Sequence, residues 1–238
     1  MITTIKQDLF NESQYPLHRL GQLAVDEWGS KYRYVKAGGS ALVTGNLLQE
    51  PVEDTNFRSM VVDTAAAIGD TVVSVTLGGT AVTANMFDGG TLLVESSTGI
   101  GQLFRIVSHE VQSTTTGSCN FTLDRPLKIA LTTSSNVSVR KNAYNGVIQY
   151  PTTATGGAVG GALYAMTASY HGWIQSGGDG ALLFDTGGNT AADAGSVSPS
   201  QAVAGSVKVF ATSSAVIGIA REVASVDSTM GIVHLTID

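Results

Sequence analysis

The chain has 238 residues, of which 28 are Gly, 5 Pro and only 1 Cys; 43% are hydrophobic and 13% charged, with a formal net charge of -6. About a quarter of an ordinary soluble domain is charged, so the surface here must be built largely from Ser, Thr, Asn, Gln and Gly. An acidic balance with so few cations gives no footprint for duplex nucleic acid, one cysteine excludes a disulfide framework or a thiolate zinc site, and ample apolar content excludes the disorder signature. No apolar run is long enough for a signal-peptide core or a spanning helix, so a soluble protein made in a cytoplasm is expected.

In chain order, residues 1–30 are polar and amphiphilic without a clear period, and are expected to form an arm that orders against something else. Within it Tyr15, Leu17 and Leu20 stand out as apolar anchors. Lys31-Tyr-Arg-Tyr-Val-Lys36 alternates cation with aromatic and reads as an exposed β-hairpin, with Tyr32 and Tyr34 on one face. Asp63–Ile68 invites a turn of helix, closed by Gly69. Period-two runs at Thr71–Leu77, Thr91–Glu95, Gln102–His109, Cys119–Leu123 and Asn136–Arg140 predict five strands separated by Gly, Asp and Asn turns. The Gly/Thr-rich stretch 151–161 and the small-residue insert 185–201 read as flexible loops. Strands are expected again at 162–169, 171–175, 181–184, 206–211, 215–220 and 231–237. The fold class is therefore all-β: two small sandwich or barrel modules after an arm and hairpin, divided at 1–60, 61–145 and 146–238, with no strict internal repeat.

A search for chemistry finds no assembled motif. His18, His109, His171 and His234 are far apart and none has a metal-ligand spacing. Cys119 lies beside Phe121 in a strand, the setting of a small buried hydrophobe. Glu50, Glu53 and Asp54 share a polar loop rather than a glycosidase pair. Gly156–Gly161 puts Ala158 at the third position, where a dinucleotide fingerprint needs Gly, and lacks the Lys-Ser/Thr of a phosphate loop. Asp179, with Asp185 and Asp193, does not follow a calcium-loop pattern. No catalytic residue, cofactor or metal site is expected.

Two runs carry a resemblance. Gly29-Ser-Lys-Tyr-Arg-Tyr-Val-Lys-Ala-Gly-Gly-Ser-Ala-Leu-Val-Thr-Gly-Asn-Leu-Leu resembles an opening found in structural proteins of tailed bacteriophages. Tyr170-His-Gly-Trp-Ile-Gln-Ser-Gly-Gly-Asp-Gly-Ala is similar to an element of phage capsid decoration (cement) proteins, where the Gly permits a close strand crossing and the Trp is a core anchor. The resemblance implies a non-enzymatic virion protein on the capsid surface, partnered by the phage's major capsid protein and by itself, as a homotrimer, and by neither nucleic acid nor membrane. It makes Tyr15, Leu17, Leu20, Tyr32 and Tyr34 candidate shell or subunit contacts and Trp173 a structural anchor. Two other readings stay open. A fibre or tail-tip module binding carbohydrate or a host receptor would use Trp28, Trp173, Tyr164 or Tyr170 for stacking, and would need Trp173 exposed. A hydrolase would need a carboxylate pair or a Ser–His pair brought together by the fold.

Overall fold

The structure, a computed structural model, describes residues 8–185, 195–209, 215–224 and 226–238. It is all-β in two modules, with a single short 3-10 turn at Thr55–Phe57 among the described residues. The strands are β1 (Leu23–Val25), β2 (Lys31–Ala37), β3 (Leu47–Gln49), β4 (Met60–Val61), β5 (Val72–Thr76), β6 (Thr91–Ser96), β7 (Leu103–His109) and β8 (Ser118–Leu123). They continue as β9 (Asn136–Arg140), β10 (Asn145–Gln149), β11 (Ala158–Ala162), β12 (His171–Leu183), β13 (Ser196–Pro199), β14 (Val207–Val209), β15 (Gly218–Glu222) and β16 (Met230–Thr236).

The chain divides into two compact units, one of Glu53–Asn142 and one that joins Met1–Val52 to Ala143–Asp238. This differs from the three-part division expected at 1–60, 61–145 and 146–238. The reason is long-range pairing that composition does not reveal: β2 and β3 lie in one sheet with β10, β11 and β12.

In the Glu53–Asn142 unit the strands run β4-β9-β6-β7-β8-β5, and a bridge from Val62, just after β4, to Val75 in β5 nearly closes the sheet into a barrel. Alternation drives it. Leu92 and Val94, Phe104 and Ile106, and Cys119, Phe121 and Leu123 point inward from successive strands and pack with Phe57 and Phe87 into one core. Asp63–Ile68 forms no helix. Ala66 instead makes a β-bridge with Leu131, and the chain turns through Ala67–Asp70 into β5. The other unit repeats the device. Leu42 bridges Met166, and each is followed by a turn, Val43–Asn46 or Thr167–Tyr170, that delivers a strand.

In that larger unit β2, β10, β3, β11 and β12 form a closed five-stranded barrel, sealed by β12 pairing with β2 from His171↔Lys36 to Gly177↔Lys31. The second half of β12, Gly177 to Leu183, pairs with β16 instead, and β15, β13 and β14 follow. A bridge from Phe184 to Val207 brings that sheet back to the end of β12. One 13-residue strand thus serves two cores. The runs expected at 171–175 and 181–184 are its two halves. The stretch 156–161 is not a free loop: it enters β11, and a Cβ at Gly160 would lie 2.5 Å from the Gln175 carbonyl oxygen. Glycine here lets β11 press against β12. Much of the expected 185–201 loop, with Asp193, and the end of the 206–211 strand lie outside the described residues.

Trp173 lies mid-strand in β12 directly across from Tyr34, their rings edge-to-face at 5.1 Å, and both are fully buried. The indole N–H has no acceptor among the described residues. An unsatisfied buried donor costs about 1–3 kcal/mol, and burial of the indole must outweigh that. Trp173→Ala should therefore lower stability by roughly 3–5 kcal/mol in chemical denaturation. An unchanged denaturation midpoint would show that Trp173 is not an anchor.

Candidate functional site

The arm does not hang free. Ser13 and His171 exchange both backbone hydrogen bonds at 2.8 Å, Leu17 donates its N–H to the Tyr34 hydroxyl at 3.0 Å, and the Tyr164 hydroxyl donates to the Asn11 carbonyl at 2.7 Å. The Glu12 carboxylate accepts from the Thr167 hydroxyl and amide, and His18 sits 5.1 Å from both the Tyr34 and Trp173 rings. Leu9 and Leu20 pack on the same aromatic cluster. Residues 8–22 are thus laid along the outside of the chain's own barrel, and their polar character reflects the bonds they make there.

This sorts the sequence-derived contacts. Tyr15, 71% exposed, and Leu17 point outward; Leu20 is half-turned into the cluster. Tyr32 and Tyr34 are corrected: both are buried beneath the arm and cannot contact a partner. Their strand is not an exposed hairpin, because β2 has β12 on one edge and β1 and β10 on the other. Two of its cations, Lys31 and Arg33, are also engaged. Arg33 makes two bonds of 2.7 Å to the Asp238 carboxylate and donates to the Gly21 carbonyl, with its guanidinium 5.7 Å from the Tyr144 ring centre. Lys31 donates to the Asp238 backbone oxygen. The bond from Arg33 holds the Asp238 carboxyl below its usual value.

The turn from β1 to β2 presents the most exposed aromatic side chain among the described residues, Trp28, at 86%. Indoles are seldom left in water, so a rigidly displayed one makes this turn a candidate contact. Asp26 supplies the rigidity: one carboxylate oxygen accepts the N–H groups of Trp28 and Ser30, and the other accepts the Tyr32 hydroxyl. Burial raises the Asp26 pKa, but these bonds outweigh it and leave the carboxyl below its ordinary 3.8. Phe10, Leu23 and Val25 are exposed on the same arm and strand. The candidate functional surface is therefore the outward side of residues 10–28. Phe10 is not legible in the sequence because a lone aromatic in a polar stretch carries no period, and the sequence marks Trp28 only as a stacking candidate.

Elsewhere the chemistry is dispersed. Cys119 is buried and its thiol is pushed up to about 11, first by desolvation and then by the Glu110 charge, the opposite of an activated nucleophile. The His109 side chain is buried, with Nε2 accepting the Phe87 N–H at 3.1 Å. His234 Nδ1 meets Asp179 at 2.6 Å on an exposed sheet face, with Arg221 3.6 Å from the same oxygen. Ser138 and Ser200 each donate to a carboxylate, Glu95 and Asp185. Among the described residues no three His, Cys, Asp or Glu side chains gather as a metal set, and no helix is long and apolar enough to cross a membrane.

Comparison with known proteins finds no matching family model, no matching curated protein and no matching solved structure.

The Asp26 bonds yield an ordered prediction. The carboxylate's contribution is complete above the unfolded value near 3.8 and is lost as pH falls through the lower folded value. Asp26→Ala should speed amide exchange at Trp28 and Ser30 at neutral pH, by about tenfold or more for the loss of hydrogen bonds to a charged group. Unchanged exchange at both amides would mean the turn is held by something else.

Proposed function

We propose that this chain is a non-enzymatic virion structural protein that binds the outside of a tailed-phage capsid and stabilises it. The observation that carries the reading is the Gly172–Trp173 step. A Cβ at Gly172 would stand 2.0 Å from the Tyr164 hydroxyl, and Trp173 beside it is fully buried. A core anchor is what the resemblance to decoration proteins implies for Trp173, and the glycine beside it leaves room for the Tyr164 side chain rather than for a crossing strand. A low-charge exterior supports the reading as well, since packing many copies on a shell desolvates few ions. The outward side of residues 10–28 is the proposed contact, with Trp28 and Tyr15 as its anchors. The partners are the major capsid protein and further copies of the chain, as a trimer.

A second reading, binding of a carbohydrate or host receptor by a fibre or tail-tip module, is favoured by Trp28 alone. Trp173 no longer serves it, because a fully buried indole offers no stacking face.

Co-sedimentation with shells lacking this protein separates the two. Trp28→Ala and Tyr15→Ala should weaken attachment at least tenfold with an unchanged melting transition, because truncating a central interface anchor costs at least about 2 kcal/mol. Wild-type-like attachment of the double variant, with loss of glycan binding, would favour the second reading. Light scattering should give three times the 24.6 kDa chain mass, and a monomer both free and on shells would overturn the trimer.

A further inference from the structure

We propose that residues 8–22 form an acid-released strap, with His171 as the group that decides whether the strap lies on the Tyr34–Trp173 face of the barrel.

The geometry is specific. His171 opens β12, is 6% exposed, and is the residue whose backbone makes both bonds of the Ser13 bridge. Its imidazole stacks on the Tyr34 ring at 6.3 Å and 15°, while Tyr34 also takes the Leu17 N–H on its hydroxyl and His18 against its edge. Directly across the ladder from His171 stands Lys36 of β2. A proton added to this imidazole would place a second positive charge in a covered position opposite an ammonium. The strap is the element that can yield. Residues 8–20 meet the closed barrel through one β-bridge and a few side-chain bonds, and the backbone bonds of Gly21 and Gln22 to Tyr34 make the hinge end, whereas β12 is paired with β2 and β11.

The groups facing His171 are few. From β2 they are Lys36 and Tyr34, and from the arm the Ser13 and Gln14 backbone; His18 lies against the Tyr34 ring, and Tyr164, just after β11, bonds Asn11. Glu12 is committed to Thr167. Burial holds His171 below its ordinary value of 6.5 and Lys36 adds to it, outweighing the backbone bonds to Ser13 and Gln14, which act the other way. Lifting the strap returns the ring to water. The closed state therefore binds fewer protons than the open one. Above 6.5 the closed state keeps its full advantage; as pH falls from there through the lowered value, the open fraction rises. One proton limits the gain to about tenfold per pH unit. Opening uncovers Trp173, Tyr34 and Tyr32, and needs no partner.

The test uses the full chain carrying Trp28→Phe, so that Trp173 is the only indole. Acrylamide quenching of Trp173 and amide exchange at residues 9–22 are followed from pH about 7.5 to about 5.5, the range in which histidine titrates. Both should rise as pH falls, while amides of β3 and β11 stay protected. His171→Gln, neutral at every pH, should remain strapped and lose the response; His18→Gln and Glu12→Gln should keep it. A flat profile in the parent overturns the proposal, as does an unchanged response in His171→Gln or its loss in Glu12→Gln. Should His171→Gln fail to fold, the imidazole Hε1 signal of His171 in the parent decides. Its titration must coincide with strap exchange, and titration with the strap amides still protected would overturn the proposal.

Discussion

The pairing of β12 with β2 is the constraint on which the larger unit depends. It closes the five-stranded barrel, and it sets Trp173 opposite Tyr34, creating the aromatic face that the arm covers. It also fixes the direction in which β12 continues, so that Leu182 and Phe184 reach the second core with Val197, Val207 and Val233. Slipping the pairing by one residue would turn Trp173 inward and Ile174 outward, exchanging a cover-facing indole for a core aliphatic. Register, rather than any single contact, is what this sequence most strongly encodes.

With so few ions, charged groups act as local clasps. Arg33 joins the arm at Gly21 to Asp238 and lies over Tyr144, tying three separated pieces of chain with one side chain. Asp26 organises the Trp28 turn in the same way. Partly buried, bidentate or multiply bonded charges of this kind are worth more than scattered surface pairs. Exposed aliphatic side chains are scattered over both units, whereas the exposed aromatics Phe10, Tyr15 and Trp28 gather within residues 10–28.

The sequence made the strands of the Glu53–Asn142 unit legible, because inward residues such as Phe104, Ile106, Cys119 and Phe121 alternate with polar ones over five or more positions. It failed where alternation was replaced by other causes. Ala158–Ala162 is a strand made mostly of small residues, its glycines demanded by a neighbour far away in sequence. Asp63–Ile68 has helix-forming alanines, yet the bridge between Ala66 and Leu131 overrides propensity. The recurring bridge-turn-strand device escaped notice because its copies share little beyond one buried aliphatic and a turn. At the candidate surface, Tyr15 and Leu17 are legible as apolar residues in a polar stretch, and Trp173 as a packed residue. Tyr32 and Tyr34 were misread, since a strand covered by a distant arm looks the same in sequence as an exposed one.

Residues 8–22 are part of the barrel rather than an appendage, with their inner side packed on the Tyr34–Trp173 cluster and their outer side exposed. Deleting residues 1–22 and measuring the denaturation of the remaining chain, with acrylamide quenching of Trp173, tests this most directly. Loss of at least about 3 kcal/mol, the scale of uncovering a buried indole, with Trp173 open to quencher, is the predicted result. An unchanged midpoint with Trp173 still shielded would contradict it.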